Sequence, residues 1–167
     1  FNTMGRDILN ADIHIGGAAY LSNQGFVFNK RDEMGNLDDI PSPYVSGLLD
    51  EFLRDGLTPL FETNRGCPFQ CTFCAWGFPG FNKVRKFSLN RVFSDLEYVS
   101  SKYSKCRAWW FVDANFGILK RDLEIAEKIN SIMKKNKHLR TTLVYDAKNT
   151  TDRTIKISKL IRSSGEH

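Results

Sequence analysis

With 167 residues, 41% of them hydrophobic, the chain can bury one core of ordinary domain size, and no run is apolar enough for long enough to span a bilayer. Lysine and arginine number 24 against 19 acidic residues, a formal charge of +5; so mild an excess suits an anionic substrate or a nucleic acid but demands neither. Four cysteines, three of them crowded between Cys67 and Cys74, argue against a disulfide framework and for metal ligands or redox groups.

The chain begins at Phe1 and shows no secretory signal pattern, so the expectation is a cytoplasmic protein cut from something longer. Ile13, Ile15, Ala19, Leu21, Phe26, Val27 and Phe28 surround Ser22-Asn23-Gln24-Gly25, which predicts a small β-hairpin with Gly25 available for positive φ. Asp32 to Pro43 reads as a polar connector held extended by Pro41 and Pro43, and Val45 to Leu53 as a short helix. Composition places a boundary near Gly56, giving an N-terminal hairpin and connector over 1–56 and a second region over 57–167.

From Leu57 onward strands and helices alternate. Leu57 to Thr63 reads as a strand, followed by the cysteine loop and a helix over Leu89 to Lys105 whose apolar face is Val92, Phe93, Leu96, Val99 and Tyr103. Ala108 to Val112 is rich in strand-forming aromatics, and Arg121 to Asn136 carries Leu123, Ile125, Ala126, Ile129, Ile132 and Met133 at helical spacing. Thr141 to Tyr145 predicts a third strand and Asp152 to Arg162 a third helix. The fold class is therefore α/β, with parallel strands joined by right-handed crossovers.

Loops at the ends of parallel strands converge on one face of a sheet. The three predicted strands run into Asn64, Arg65 and the cysteines, into Asp113-Ala114-Asn115-Phe116-Gly117, and into Asp146, Lys148 and Asn149. Each Asp or Asn is also an ordinary turn or cap residue, so the convergence counts for more than any one of them. In the first loop, Cys67, Cys71 and Cys74 are spaced CxxxCxxC. Structural zinc and electron-transfer iron–sulfur clusters both want four protein ligands, so three suggest a cubane with one iron left open. Gly66 and Gly77 allow close backbone approach, and Phe69 and Phe73 are placed to shield a cluster. Readings that stay open are a zinc site completed by Cys106 or a histidine, within a module that contacts protein or nucleic acid, and a simple ferredoxin. Cys106 at the start of the second strand reads as a packed small residue. Trp109 and Trp110 read as core, since neighbours on a strand face opposite ways. His14, His138 and His167 lack partners at ligand spacing, and Arg65 is equally a counter-charge to the loop or a surface side chain.

CxxxCxxC with an aromatic, Phe73, just before the third cysteine resembles the radical SAM superfamily. Asp39-Ile40-Pro41-Ser42-Pro43-Tyr44 and Phe111-Val112-Asp113-Ala114-Asn115-Phe116 are similar to members with an N-terminal cobalamin-binding domain. The resemblance implies a partial (β/α) barrel of about three βα units, with a 4Fe-4S cluster on Cys67, Cys71 and Cys74. It implies S-adenosylmethionine on the open iron, cleaved after one-electron reduction to give a 5′-deoxyadenosyl radical. Phe73 and Trp76 would lie by the adenosyl group, and Asp113 and Asn115 would stand where many members carry a Gly-Gly-Glu-like motif for the cofactor's ammonium. Cobalamin would be bound by a domain outside these residues, and the reductant would be of the flavodoxin or ferredoxin type. A fragment of this length would expose a barrel edge suited to a second copy and would turn over little by itself.

Overall fold

Asp113, a side chain midway along the central strand, decides where the first strand stops. The computed structural model describes residues 16–22, 25–30, 35–77, 82–146 and 151–162. Strand β3 is Leu60–Phe61, β6 is Ala108–Phe116 and β7 is Thr141–Asp146; they form a parallel sheet in the order β3-β6-β7, with Leu60 opposite Trp110 and Trp110 opposite Leu143. The expected first strand, 57–63, is thus trimmed at both ends. Pro59 has no N–H to give a ladder, although its carbonyl accepts from Trp110 N–H at 3.1 Å. Beyond Phe61, the N–H groups of Thr63 and Asn64 donate to the Asp113 carboxylate at 2.7 and 3.0 Å. The central strand is longer than predicted and reaches Phe116, with an irregularity between Phe111 and Phe116.

Helices cover one face of this sheet. Helix α2, Leu89–Lys102, starts at Ser88, whose hydroxyl accepts from Arg91 N–H at 3.1 Å, the usual way to satisfy an open first turn. It buries Val92, Leu96 and Val99; α3, Asp122–Lys135, buries Ile125, Ala126, Ile129, Ile132 and Met133. Helix α4 spans Asp152–Arg162 of the described residues and begins with Thr151 and Thr154 bonded reciprocally, Thr151 N–H to Thr154 Oγ1 at 2.7 Å and Thr154 N–H to Thr151 Oγ1 at 3.3 Å. The period-2 alternation of β6 puts Trp109, Phe111 and Asp113 in the interior and leaves Trp110 and Val112 on the open side. Phe61 packs against Trp109 and Phe111 with ring centroids 5.1 and 5.4 Å apart.

Contacts divide the chain into two units, Phe1–Gly35 and Asn36–His167. The first contains the hairpin: β1, Ala19–Ser22, pairs antiparallel with β2, Gly25–Phe28, and Gly25 has φ +115. Ile13, Ile15, Asn23 and Gln24, which entered that expectation, lie outside the described residues. In the second unit, residues 36–56 are tied to β3 and to α2 with its N-cap. Ser88 N–H donates to Asp38 at 2.9 Å, Ser42 Oγ to Asp95 at 2.5 Å, and Tyr44 Oη to Leu60 O at 2.5 Å. The connector is not simply extended, because Leu37–Asp39 forms a 3-10 turn whose Asp38 N–H is accepted by the Asn36 side chain. The helix expected over Val45 to Leu53 is shorter: Gly47 turns left-handed at φ +76 with its N–H on Tyr44 O, and α1 spans only Asp50–Arg54.

Candidate functional site

The cysteine loop leaves the sheet at Thr63 and is closed at its base before it reaches the first cysteine. β4, Asn64–Arg65, pairs antiparallel with β5, Arg85–Lys86, and Phe87 N–H donates to Thr63 O at 3.1 Å. The residues between them therefore form one loop with both ends tied together. No periodic pattern announces a two-residue bridge, and β5 was invisible in the sequence for that reason.

Two charged groups from the central strand and its succeeding turn hold this base. Asp113 is fully buried, and its oxygens accept from Thr63 N–H (2.7 Å), Thr63 Oγ1 (2.5 Å), Asn64 N–H (3.0 Å) and Asn64 Nδ2 (3.0 Å). Burial pushes its carboxyl up to about 6, against the pull of those donors, which favour the charge. Arg121 donates from its guanidinium to Phe87 O and to Thr63 O, the latter at 3.2 Å. The turn carrying Arg121 is itself fixed: Asp122 accepts from Gly117 N–H (2.8 Å) and Leu119 N–H (2.9 Å), while Arg153 of α4 donates to Gly117 O (2.9 Å) and Ile118 O (3.1 Å). Burial raises the Asp122 carboxyl above its ordinary range. Sequence reasoning missed Arg121, Asp122 and Arg153. An aspartate in the first turn of a predicted helix was the available signal for Asp122.

Cys67 comes directly after Gly66, which sits at φ +105 and gives the chain the left-handed step it needs there. The Cys67 side chain is buried, and Asn115 Nδ2 donates to its Sγ at 3.1 Å. Cys71 and Cys74 are half-buried and joined through the backbone, Cys74 N–H to Cys71 O at 3.0 Å, ahead of a 3-10 turn over Ala75–Gly77. Phe73 is 91% exposed and Trp76 41% exposed, so Phe73 offers a face to solvent where shielding was expected. Among the described residues, no three histidine, cysteine or acidic side chains stand close enough to hold a metal ion. The fold thus brings Asp113 to the loop's base and Asn115 to Cys67, without drawing the three sulfurs together.

Other residues singled out in the sequence have ordinary places. Arg65 pairs with Glu62 at 2.6 Å, and that contact raises its already high pKa. Cys106 is buried with Sγ 3.5 Å from both Leu53 O and Leu57 O. It lies at the entry end of the sheet, about 20 Å along β6 from the level of Asp113, which removes it as a fourth ligand. Trp109 is 1% exposed and Trp110 36%, as alternation requires. Asp146 ends β7, opposite Phe116; Lys148, Asn149, His14 and His167 lie outside the described residues.

By donor chemistry the loop fits an iron–sulfur cluster. Three cysteines occur within it, none in a disulfide, and an amide N–H already meets one sulfur, the kind of contact that supports a cluster ligand.

Comparison with known proteins locates the chain further. No protein-family profile matches it. It is 38% identical over 136 residues to the cobalamin-dependent radical SAM methyltransferase TokK of Streptomyces tokunonensis, covering 78% of this chain and 20% of that protein. It is 37% identical over 127 residues to the 2-(S-pantetheinyl)-carbapenam-3-carboxylate methyltransferase of Streptantibioticus cattleyicolor, covering 72% and 18%. Among solved structures, the radical S-adenosylmethionine methyltransferase TsrM of Kitasatospora setae, bound to cobalamin and a 4Fe-4S cluster, superposes with a TM-score of 0.59 at 13% identity, over 93% of this chain and 32% of that one. The chain spans about a fifth of the length of the two curated relatives. A match over 78% of it necessarily contains the cysteine loop and β6.

Proposed function

We propose that this chain, whose homologues are cobalamin-dependent radical SAM methyltransferases, is the cluster-binding part of such an enzyme, built as the first βα units of a β/α barrel. Cys67, Cys71 and Cys74 would hold a 4Fe-4S cluster, and Phe73 and Trp76, exposed on the same loop, would lie beside the S-adenosylmethionine. The observation that carries this reading is the position of the CxxxCxxC loop at the exit end of parallel strands, tied at its base by Asp113 and Arg121 and met at Cys67 by Asn115.

When bound, the cluster supplies one electron to the sulfonium; the organic chemistry belongs to the cofactors. The chain's own residues hold the loop, fix the first ligand and present aromatic surface for the nucleoside. Asp113 belongs to the loop's base in this reading, since all four of its contacts go to Thr63 and Asn64. Cobalamin and the methyl acceptor are held by parts of the enzyme beyond these residues, and the electron comes from a flavodoxin or ferredoxin type of protein. Methyl transfer is the reaction class the relatives suggest. Little turnover is expected of these residues alone, because such chemistry needs water excluded.

Anaerobic reconstitution with ferrous iron and sulfide tests the reading. A brown chain with 4Fe-4S stoichiometry, lost on Cys71→Ala, is expected. A colourless chain carrying stoichiometric zinc would sink the reading and favour the zinc module.

A further inference from the structure

The contact between Asn115 and Cys67 joins two elements that sequence separates by 48 positions. Asn115 is 8% exposed and Cys67 is 8% exposed, so the bond lies out of water, where a polar contact counts for most and a lost one is not replaced by solvent. Asn115 is two residues past Asp113, whose carboxylate holds Thr63 and Asn64. One stretch of β6 therefore fixes the loop's root with a carboxylate and its first cysteine with an amide. An amide N–H directed at sulfur stabilises negative charge there, and hydrogen bonds to cluster sulfurs are among the determinants of reduction potential.

We propose that Asn115 is a positioning residue for Cys67: its side-chain amide holds the first ligand of the CxxxCxxC loop and, through that sulfur, favours the reduced state of the cluster bound there. The inference rests on the cluster reading above. Reduction adds negative charge that spreads onto the ligating sulfurs, and the N–H donor from β6 is more strongly bonded in that state. Removing the donor makes reduction harder, with no change in the ligand set.

The test compares the unsubstituted full chain with Asn115→Ala, Asn115→Asp and Asn115→Gln, each reconstituted with iron and sulfide and titrated anaerobically with dithionite under EPR detection. Circular dichroism of the apo chains checks that each is folded. Asn115→Ala is expected to disfavour one-electron reduction about tenfold, which is 59 mV toward negative potential. Asn115→Asp, of nearly the same shape but with an acceptor in place of the donor, is expected to shift further. Asn115→Gln keeps a donor and is expected to lie closest to the unsubstituted chain. A folded Asn115→Ala that fails to load while Asn115→Gln loads also supports the assignment, as a defect in placing Cys67. Full loading with the same midpoint in all four chains overturns the role of Asn115 and leaves the cluster reading standing. An unsubstituted chain that takes up no cluster overturns both.

Discussion

Replacing Asp113 by alanine removes the acceptor for four donors at once, two of them backbone N–H groups, in a place with no solvent access. The two side-chain donors, Thr63 Oγ1 and Asn64 Nδ2, can turn toward other partners. The N–H groups of Thr63 and Asn64 cannot, since the backbone there is fixed by the β4–β5 bridge and by Phe87 N–H on Thr63 O. Each buried donor left without a partner costs about 1–3 kcal/mol, so Asp113→Ala should destabilise the fold by roughly 4 kcal/mol. With a urea dependence of about 2 kcal/mol per molar, the unfolding midpoint should fall by about 2 M. Urea titration followed by far-UV circular dichroism reads this directly. A loss below about 0.5 kcal/mol would refute the clamp and would mean that water or a shifted backbone serves Thr63 and Asn64 as well as the carboxylate does.

Asp113 also predicts a pH dependence: its carboxyl sits at about 6 in the fold against an ordinary 3.8, so the folded chain keeps a proton that the unfolded chain releases between those values. The stability this contributes is complete below about pH 4 and is lost as pH rises through about 6, on the order of 3 kcal/mol; the same slope in Asp113→Asn would contradict it. Gly117 has φ +100, and a Cβ there would stand 2.8 Å from Thr154 Cγ2. Gly117→Ala should therefore cost roughly 1–3 kcal/mol, and less in a Thr154→Ser background, which a double-mutant cycle in urea would show. Leu96 is wholly buried in α2; Leu96→Ala should cost about 2–5 kcal/mol, seen as a lowered thermal midpoint, and an unchanged midpoint would contradict its place in the core.

Periodic patterns carried most of the second unit. Ile125, Ala126 and Ile129 mark the buried face of α3, and Val92, Leu96 and Val99 that of α2, because a helix three turns or longer repeats its message several times. The ends of elements were harder to read, because long-range partners set them. Phe61 ends its strand on account of a carboxylate far along the chain in β6, and Gly47 delays α1 through one left-handed step. Composition marked a change at Gly56, whereas packing groups the chain from Asn36 onward; a polar, proline-containing segment with few apolar residues can still bind a core edge through Asp38, Ser42 and Tyr44. In the candidate site, spacing alone selected the three cysteines. Asp113 and Asn115 were legible as residues at the strand end where the loops converge, but which atoms they meet was not, since Thr63, Asn64 and Cys67 come near them only once β3 and β6 are side by side.

The central claim is that three thiolates leave one iron open to a ligand. The most direct measurement is the EPR spectrum of the reduced, reconstituted chain with and without S-adenosylmethionine. A cluster signal whose g-values change on adding the cofactor, and which is absent from Cys67→Ala, Cys71→Ala and Cys74→Ala, is the predicted result. A spectrum that S-adenosylmethionine leaves unaltered, or a cluster that survives loss of any one of the three cysteines, would contradict the account.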